Sequence, residues 1–153
     1  MNKLDNAGYE KSNKIEAVTL NKFDKSYMTK LLNASDLEMD RQKKSQALLD
    51  YLCDKFKMPK CRVTVTKVPQ PHATNQRGSL KSKEYGHYVP LTYEIVVYNV
   101  TAVRQQKVAI KTFMDTLLHE FIHHYDMTYL KLGKSPHTAG FYKRISDLKA
   151  KLV

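Results

Sequence analysis

TLLHEFIHHYD, residues 116–126, sets three histidines, His119, His123 and His124, around one glutamate, Glu120. Its reading decides the fold, because the stretch sits inside a segment with helical apolar spacing. At about 100° per residue, Ile110, Phe113, Met114, Leu117, Leu118, Phe121 and Tyr125 gather on one broad face, which is expected to pack on a sheet. His119 and His123 are four positions apart, so their side chains stand one above the other at about 5–6 Å between Cβ atoms, off that face. Glu120 lies on the flank of the histidine pair, which makes H-E-x-x-H. His124 turns about 100° from His123, toward the apolar side, and is expected to be a hydrogen-bonded residue at the edge of the core.

The chemistry explains the residue types. Two neutral imidazoles bind Zn²⁺ at about 2.0–2.1 Å, a third ligand completes a tripod, and the fourth position stays open for water. Glu120 then accepts the proton of that water as it attacks a peptide carbonyl and delivers it to the leaving amine. Two residues compete for the third position. His137, in SPHTAGFYKRI, returns to the metal if the chain reverses at Gly133. Asp126 shares the helical face, but its fixed place makes a tripod with His119 and His123 difficult, and a supporting or capping role is expected for it.

Working outward, the active-site helix is expected over residues 103–132, ended by Gly133, with a second helix over 138–152. CRVTVTKV at 61–68 and LTYEIVVYNV at 91–100 read as strands, the second the more buried. Between them PQPHATNQRGSLKSKEYGHYVP is rich in turn formers, and one short strand is expected near 78–81. His72 and His87, both in this connection, are expected to be surface residues. FDKSYMTKLLN and, after a Ser35/Asp36 cap signal, DLEMDRQKKSQALLDYLCDKFKMP predict helices, the latter stopped by Pro59. Residues 1–20 are polar and weakly periodic and are expected to form a mobile or loosely docked arm.

Composition bounds the function. With 153 residues, 42% hydrophobic and 27% charged, one domain with a substantial core is expected, and no apolar run suits a membrane span. No secretory pattern opens the chain, so a cytoplasmic location is expected, and Cys53 and Cys61 are expected to be reduced core residues. A formal net charge of +11 suits a polyanionic partner such as nucleic acid, although the lysines are scattered.

Taken together, HEFIH, HTAGFYKRI, IVVYN and QRGSL resemble the SprT-like zinc metallopeptidases, over roughly residues 36–150. The resemblance implies an α+β, Spartan-related zincin domain over residues 21–153, with an N-terminal helix, a small mixed or antiparallel sheet, the H-E-x-x-H helix and a C-terminal helix. It implies one Zn²⁺ per chain held by His119, His123 and His137, Glu120 as the catalytic acid/base, and Phe141 as a packing aromatic. Thr138 stands where the family usually has glycine. The expected function is a zinc-dependent endopeptidase acting on protein or peptide, including DNA-associated proteins. Tyr85, Tyr88, Tyr142 and Arg77 are candidate donors to the developing oxyanion. Two alternatives stand beside it: a non-cleaving nucleic-acid-binding or protein-interaction module with a structural zinc, and a small regulatory protein without metal.

Overall fold

Helix α4, Ile110–Thr128, runs against the inner face of a small mixed sheet and presents Phe113, Leu117, Leu118, Phe121 and Tyr125 to a core in which each is almost wholly buried. The computed structural model describes residues 3–74 and 80–153; Arg77 and most of QRGSL lie outside the described residues. Before α4 come α1 (Lys3–Lys14), α2 (Ser26–Leu32), α3 (Glu38–Phe56), β1 (Arg62–Pro69), β2 (His72–Thr74), β3 (Leu80–Lys83), β4 (Gly86–Val89) and β5 (Glu94–Val100), and after it α5 (Ala139–Leu152). The class is α+β, with five helices among the described residues.

The main sheet has the order β1-β5-β4, β1 parallel and β4 antiparallel to β5, while β2 and β3 form a separate antiparallel pair. Both long strands alternate: Val63 and Val65 of β1, and Ile95, Val97 and Asn99 of β5, face inward. The β5 strand is therefore one-sided rather than continuously buried. Where one short strand was expected in the polar connection, the chain builds β2, β3 and β4. The two outer edges of the main sheet are finished differently. On β1, the N–H groups of Val63 and Val65 donate to the side-chain carbonyls of Gln46 and Gln42 from α3, both at 2.9 Å. That seals an edge which would otherwise pair with another strand. On β4, Tyr98 N–H donates to the Tyr85 carbonyl at 3.1 Å, so by antiparallel alternation His87 and Val89 bond toward β5. Gly86 and Tyr88 then turn their backbone groups away from the sheet.

Three sequence expectations need correction. Helix α4 is shorter than the 103–132 expected, because the chain after β5 folds back: Val108 N–H donates to Asn99 O at 2.9 Å, and Gln105 takes φ 52°. Its C-terminal reversal lies before Gly133, with Lys131 in the left-handed region at φ 56°. Of the two arrangements expected for the N-terminal residues, the docked one is seen over 3–20: they contain α1 and a segment bonded to α5, with Ser12 and Val18 buried and Val18 N–H donating to Asp147 at 2.9 Å. The Ser35/Asp36 signal also shifts, since Leu37 occupies the cap of α3 without a side-chain bond.

Candidate metal centre

His119, Glu120 and His123 project from the middle of α4 toward the turn that joins α4 to α5, and that turn brings His137 onto them. The ligand nitrogens of His119, His123 and His137 lie within 4.8 Å of one another, and His137 Nε2 is 3.1 Å from His123 Nε2. Two nitrogens on one tetrahedral zinc would stand about 3.3–3.4 Å apart, given bonds of about 2.0–2.1 Å. The spacing fits a shared cation. Phe141, fully buried in the first turn of α5, is the floor of the cluster, its ring centroid 5.0, 4.6 and 5.1 Å from those of His119, His123 and His137.

Hydrogen bonding fixes the tautomer of His123. Ser135 Oγ donates to Asp126 Oδ2 at 2.8 Å, so its proton is spent there. The 2.7 Å contact between Ser135 Oγ and His123 Nδ1 must then carry a proton from the ring. Nδ1 is protonated, and Nε2 turns its lone pair toward His137. Asp126 is thus no ligand in this arrangement: it is fully buried, bonded to Ser135 on one side and to Arg144 on the other at 2.7 and 3.0 Å. Burial, reinforced by His137, lowers the His119 pKa to about 4; burial, reinforced by His119 and His137, lowers that of His123 to about 3. Both rings are neutral near pH 7, the form that binds metal.

The α5 cap explains how the turn works without glycine. Thr138 has φ −76°, open to any L-residue, and its hydroxyl accepts from Phe141 N–H at 3.0 Å. The threonine starts the helix one residue after the third histidine.

A cleft crosses the cluster between β4 and the His137 turn. One half, about 550 Å³, is lined by Glu84, Tyr85, Asp115, Thr116 and the site residues; the other, about 440 Å³, by His87, Tyr88, Pro90, Met127 and Ser135. Gly86, His119, Glu120 and His137 border both halves. At Gly86 an added Cβ would meet Val96 O at 2.6 Å and Thr116 Cγ2 at 2.9 Å, so β4 sits this close to α4 only because the residue is glycine. Glu120 is 6% exposed, and burial, aided by repulsion from Glu84, raises its carboxyl to about 7.

The candidate donors separate by position. Tyr142 is half exposed, with its ring 6.2 Å from His119 and 5.8 Å from His137. Tyr85 lines the cleft with its ring 4.9 Å from the Lys83 ammonium. Tyr88 spends its hydroxyl on His124 Nδ1 at 2.6 Å. His87 faces Glu84 at 3.5 Å, and His72 bonds the Gln70 carbonyl at 3.3 Å.

A second group, Cys53, Cys61 and His124, has three buried ligand atoms within 4.8 Å of one another, the sulfurs 3.9 Å apart and unbridged. Its imidazole is already committed: Nε2 is 2.7 Å from the Pro59 carbonyl, which can only accept, so Nε2–H donates and Nδ1 accepts from Tyr88. With no lone pair free on His124, this group is a packed core cluster rather than a competing metal centre.

Sequence reasoning missed Ser135 and Arg144. Each looks like an ordinary surface residue in its own segment, and only the approach of α5 to α4 gives it a partner. No family model, curated protein or solved structure matches the chain, so the reading of the site stands on its geometry.

Proposed function

We propose that this chain is a zinc-dependent endopeptidase of the SprT-like, zincin kind, with His119, His123 and His137 as ligands and Glu120 as the acid/base. The observation that carries the reading is the convergence of three imidazoles beside a buried carboxyl group in an open cleft. Zinc bound there supplies Lewis acidity and lowers the pKa of water. Glu120, buried beside the histidine pair and bordering both halves of the cleft, takes the proton of the attacking water and passes it to the leaving amine. The backbone groups of Gly86 and Tyr88, on the outer edge of β4 and without a strand partner there among the described residues, hold the substrate as an added strand. Tyr142, beside His119 and His137, is the best-supported donor to the developing oxyanion. The buried carboxylate argues against a purely structural zinc, which would close its fourth position and have no use for Glu120.

The test is cleavage of an unstructured protein by the zinc-loaded chain, with and without single-stranded DNA. Cleavage abolished by Glu120→Gln at unchanged zinc content supports the reading; zinc binding without cleavage of any such substrate overturns it. The net charge of +11 favours a second reading, a nucleic-acid-binding module with a structural zinc. Salt-dependent DNA retention with no cleavage would select it. Among the described residues no helix is long and apolar enough to cross a membrane.

A further inference from the structure

We propose that residues 12–15 of the N-terminal segment are a working part of the metal centre, with Arg144 as the positioning residue that couples the two. Metal affinity then depends on the docking of this segment, and metal binding in turn holds the segment down. The proposal rests on the reading of His119, His123 and His137 as metal ligands.

The coupling follows from how the guanidinium is shared. Arg144 is fully buried, and its donors divide between two bodies. Toward α4 it bonds both carboxylate oxygens of Asp126, at 3.0 and 2.7 Å. Toward the N-terminus it bonds the carbonyls of Ser12 and Ile15, both at 2.6 Å, and Ser12 Oγ at 3.0 Å. The last carbonyls of a helix have no partner within it, and those at the end of α1 find one in this fork. If the segment lifts away, the fork loses three of its acceptors and no longer holds one fixed orientation. Asp126 is the next link, then Ser135, then Nδ1–H of His123. Groups that bond a ligand's second nitrogen set its tautomer and ring angle, and changing them typically costs about 10–100-fold in metal affinity.

A second path leads to the third ligand. Ser12 Oγ is 2.9 Å from Thr138 Oγ1, and Thr138 both follows His137 and caps α5. The segment therefore touches the supports of two of the three histidines. Its seat is shaped for it: a Cβ on Gly140 would stand 2.2 Å from Ser12 O and 2.7 Å from Asn13 O. Glycine in the first turn of α5 lets α1 lie directly against that helix.

If the segment served only to cover the core, its docking would affect stability and leave metal affinity alone. Two measurements on the full chain separate these roles. In the wild type, zinc loading is expected to slow amide hydrogen exchange over residues 12–18, since coupling is reciprocal. In Gly140→Ala, which crowds Ser12 without altering a ligand, Asp126 or Arg144, exchange over those residues should rise. The zinc dissociation constant, read by chelator competition, should rise about tenfold, and the visible spectrum of the cobalt(II)-loaded variant should shift. Unchanged exchange on zinc loading of the wild type overturns the coupling, as does an unchanged zinc constant in a variant whose segment exchanges faster. A wild-type chain that takes up no zinc fails the metal reading itself, which is a different result.

Discussion

Arg144 and Asp126 meet through both carboxylate oxygens with neither side chain reaching solvent. Burial raises the Asp126 pKa, while the hydrogen bonds and charge of Arg144 act against that rise. Removing one partner of a buried pair strands the other. Arg144→Met is expected to cost about 3–5 kcal/mol in urea unfolding of the metal-free protein. A loss below about 1 kcal/mol would mean that water reaches the pair.

Glu120 and Tyr142 are expected to part metal binding from catalysis. Glu120→Gln should keep one equivalent of zinc and lose about 10²–10⁴ in kcat, the usual range for a general base. Tyr142→Phe should lose about 10² in kcat with KM little changed, because an oxyanion donor acts in the transition state. His119→Ala should lose the zinc. Equal zinc loss in all three variants would show that Glu120 is a ligand or that the site collapses.

Metal content distinguishes the two histidine clusters. Total zinc should be one equivalent per chain, and the double variant Cys53→Ala/Cys61→Ala should retain it. A second equivalent that disappears in the double variant would refute the hydrogen-bonding assignment of His124.

Stability of the metal-free protein should be pH-dependent with a computable sign. Free imidazole titrates at 6.5, but His119 and His123 are held at about 4 and about 3, so below pH 6.5 the unfolded chain takes up two protons that the native rings refuse. Their effect is a loss of stability as pH falls from 6.5 toward those values. Glu120 acts oppositely: raised from 4.5 to about 7, it contributes fully below 4.5, and that contribution is lost as pH rises through 7. Between 4.5 and 6.5 the histidines outweigh the glutamate two to one, so the midpoint of thermal unfolding in chelator should climb with pH and peak at about pH 7, where the protons still taken up by the unfolded histidines equal the one held by native Glu120. Glu120→Gln should steepen the climb and remove the fall above it. A flat profile from pH 5 to 7 would contradict the burial of these groups.

Much of the site was legible because a helix converts spacing into direction: four positions between His119 and His123 put both rings on one side, and a fixed Asp126 could not complete their tripod. The supporting place of Asp126 was legible too, but its partners Ser135 and Arg144 were not. Arg144 carries the same sequence signal as the neighbouring Lys143, yet one is buried among carbonyls and the other pairs with Glu16 at the surface. The N-terminal residues looked like an arm because they dock largely through backbone carbonyls, which composition does not display. The start of α4 was placed too early because Val103 and Val108 continue the apolar count, while the backbone between them makes a return to β5. The short strands β2 to β4 owe their pairing to distant partners rather than to local pattern.

The aromatic floor beneath the histidines has a magnetic consequence. Phe141 lies nearly parallel to His123, at 27° and 4.6 Å, but nearly perpendicular to His119, at 81° and 5.0 Å. Ring current from Phe141 should shield the carbon-bound protons of His123 and move their resonances upfield, while those of His119 respond differently. A proton spectrum can then tell the two imidazoles of H-E-x-x-H apart without a substitution, and can follow each as metal is added.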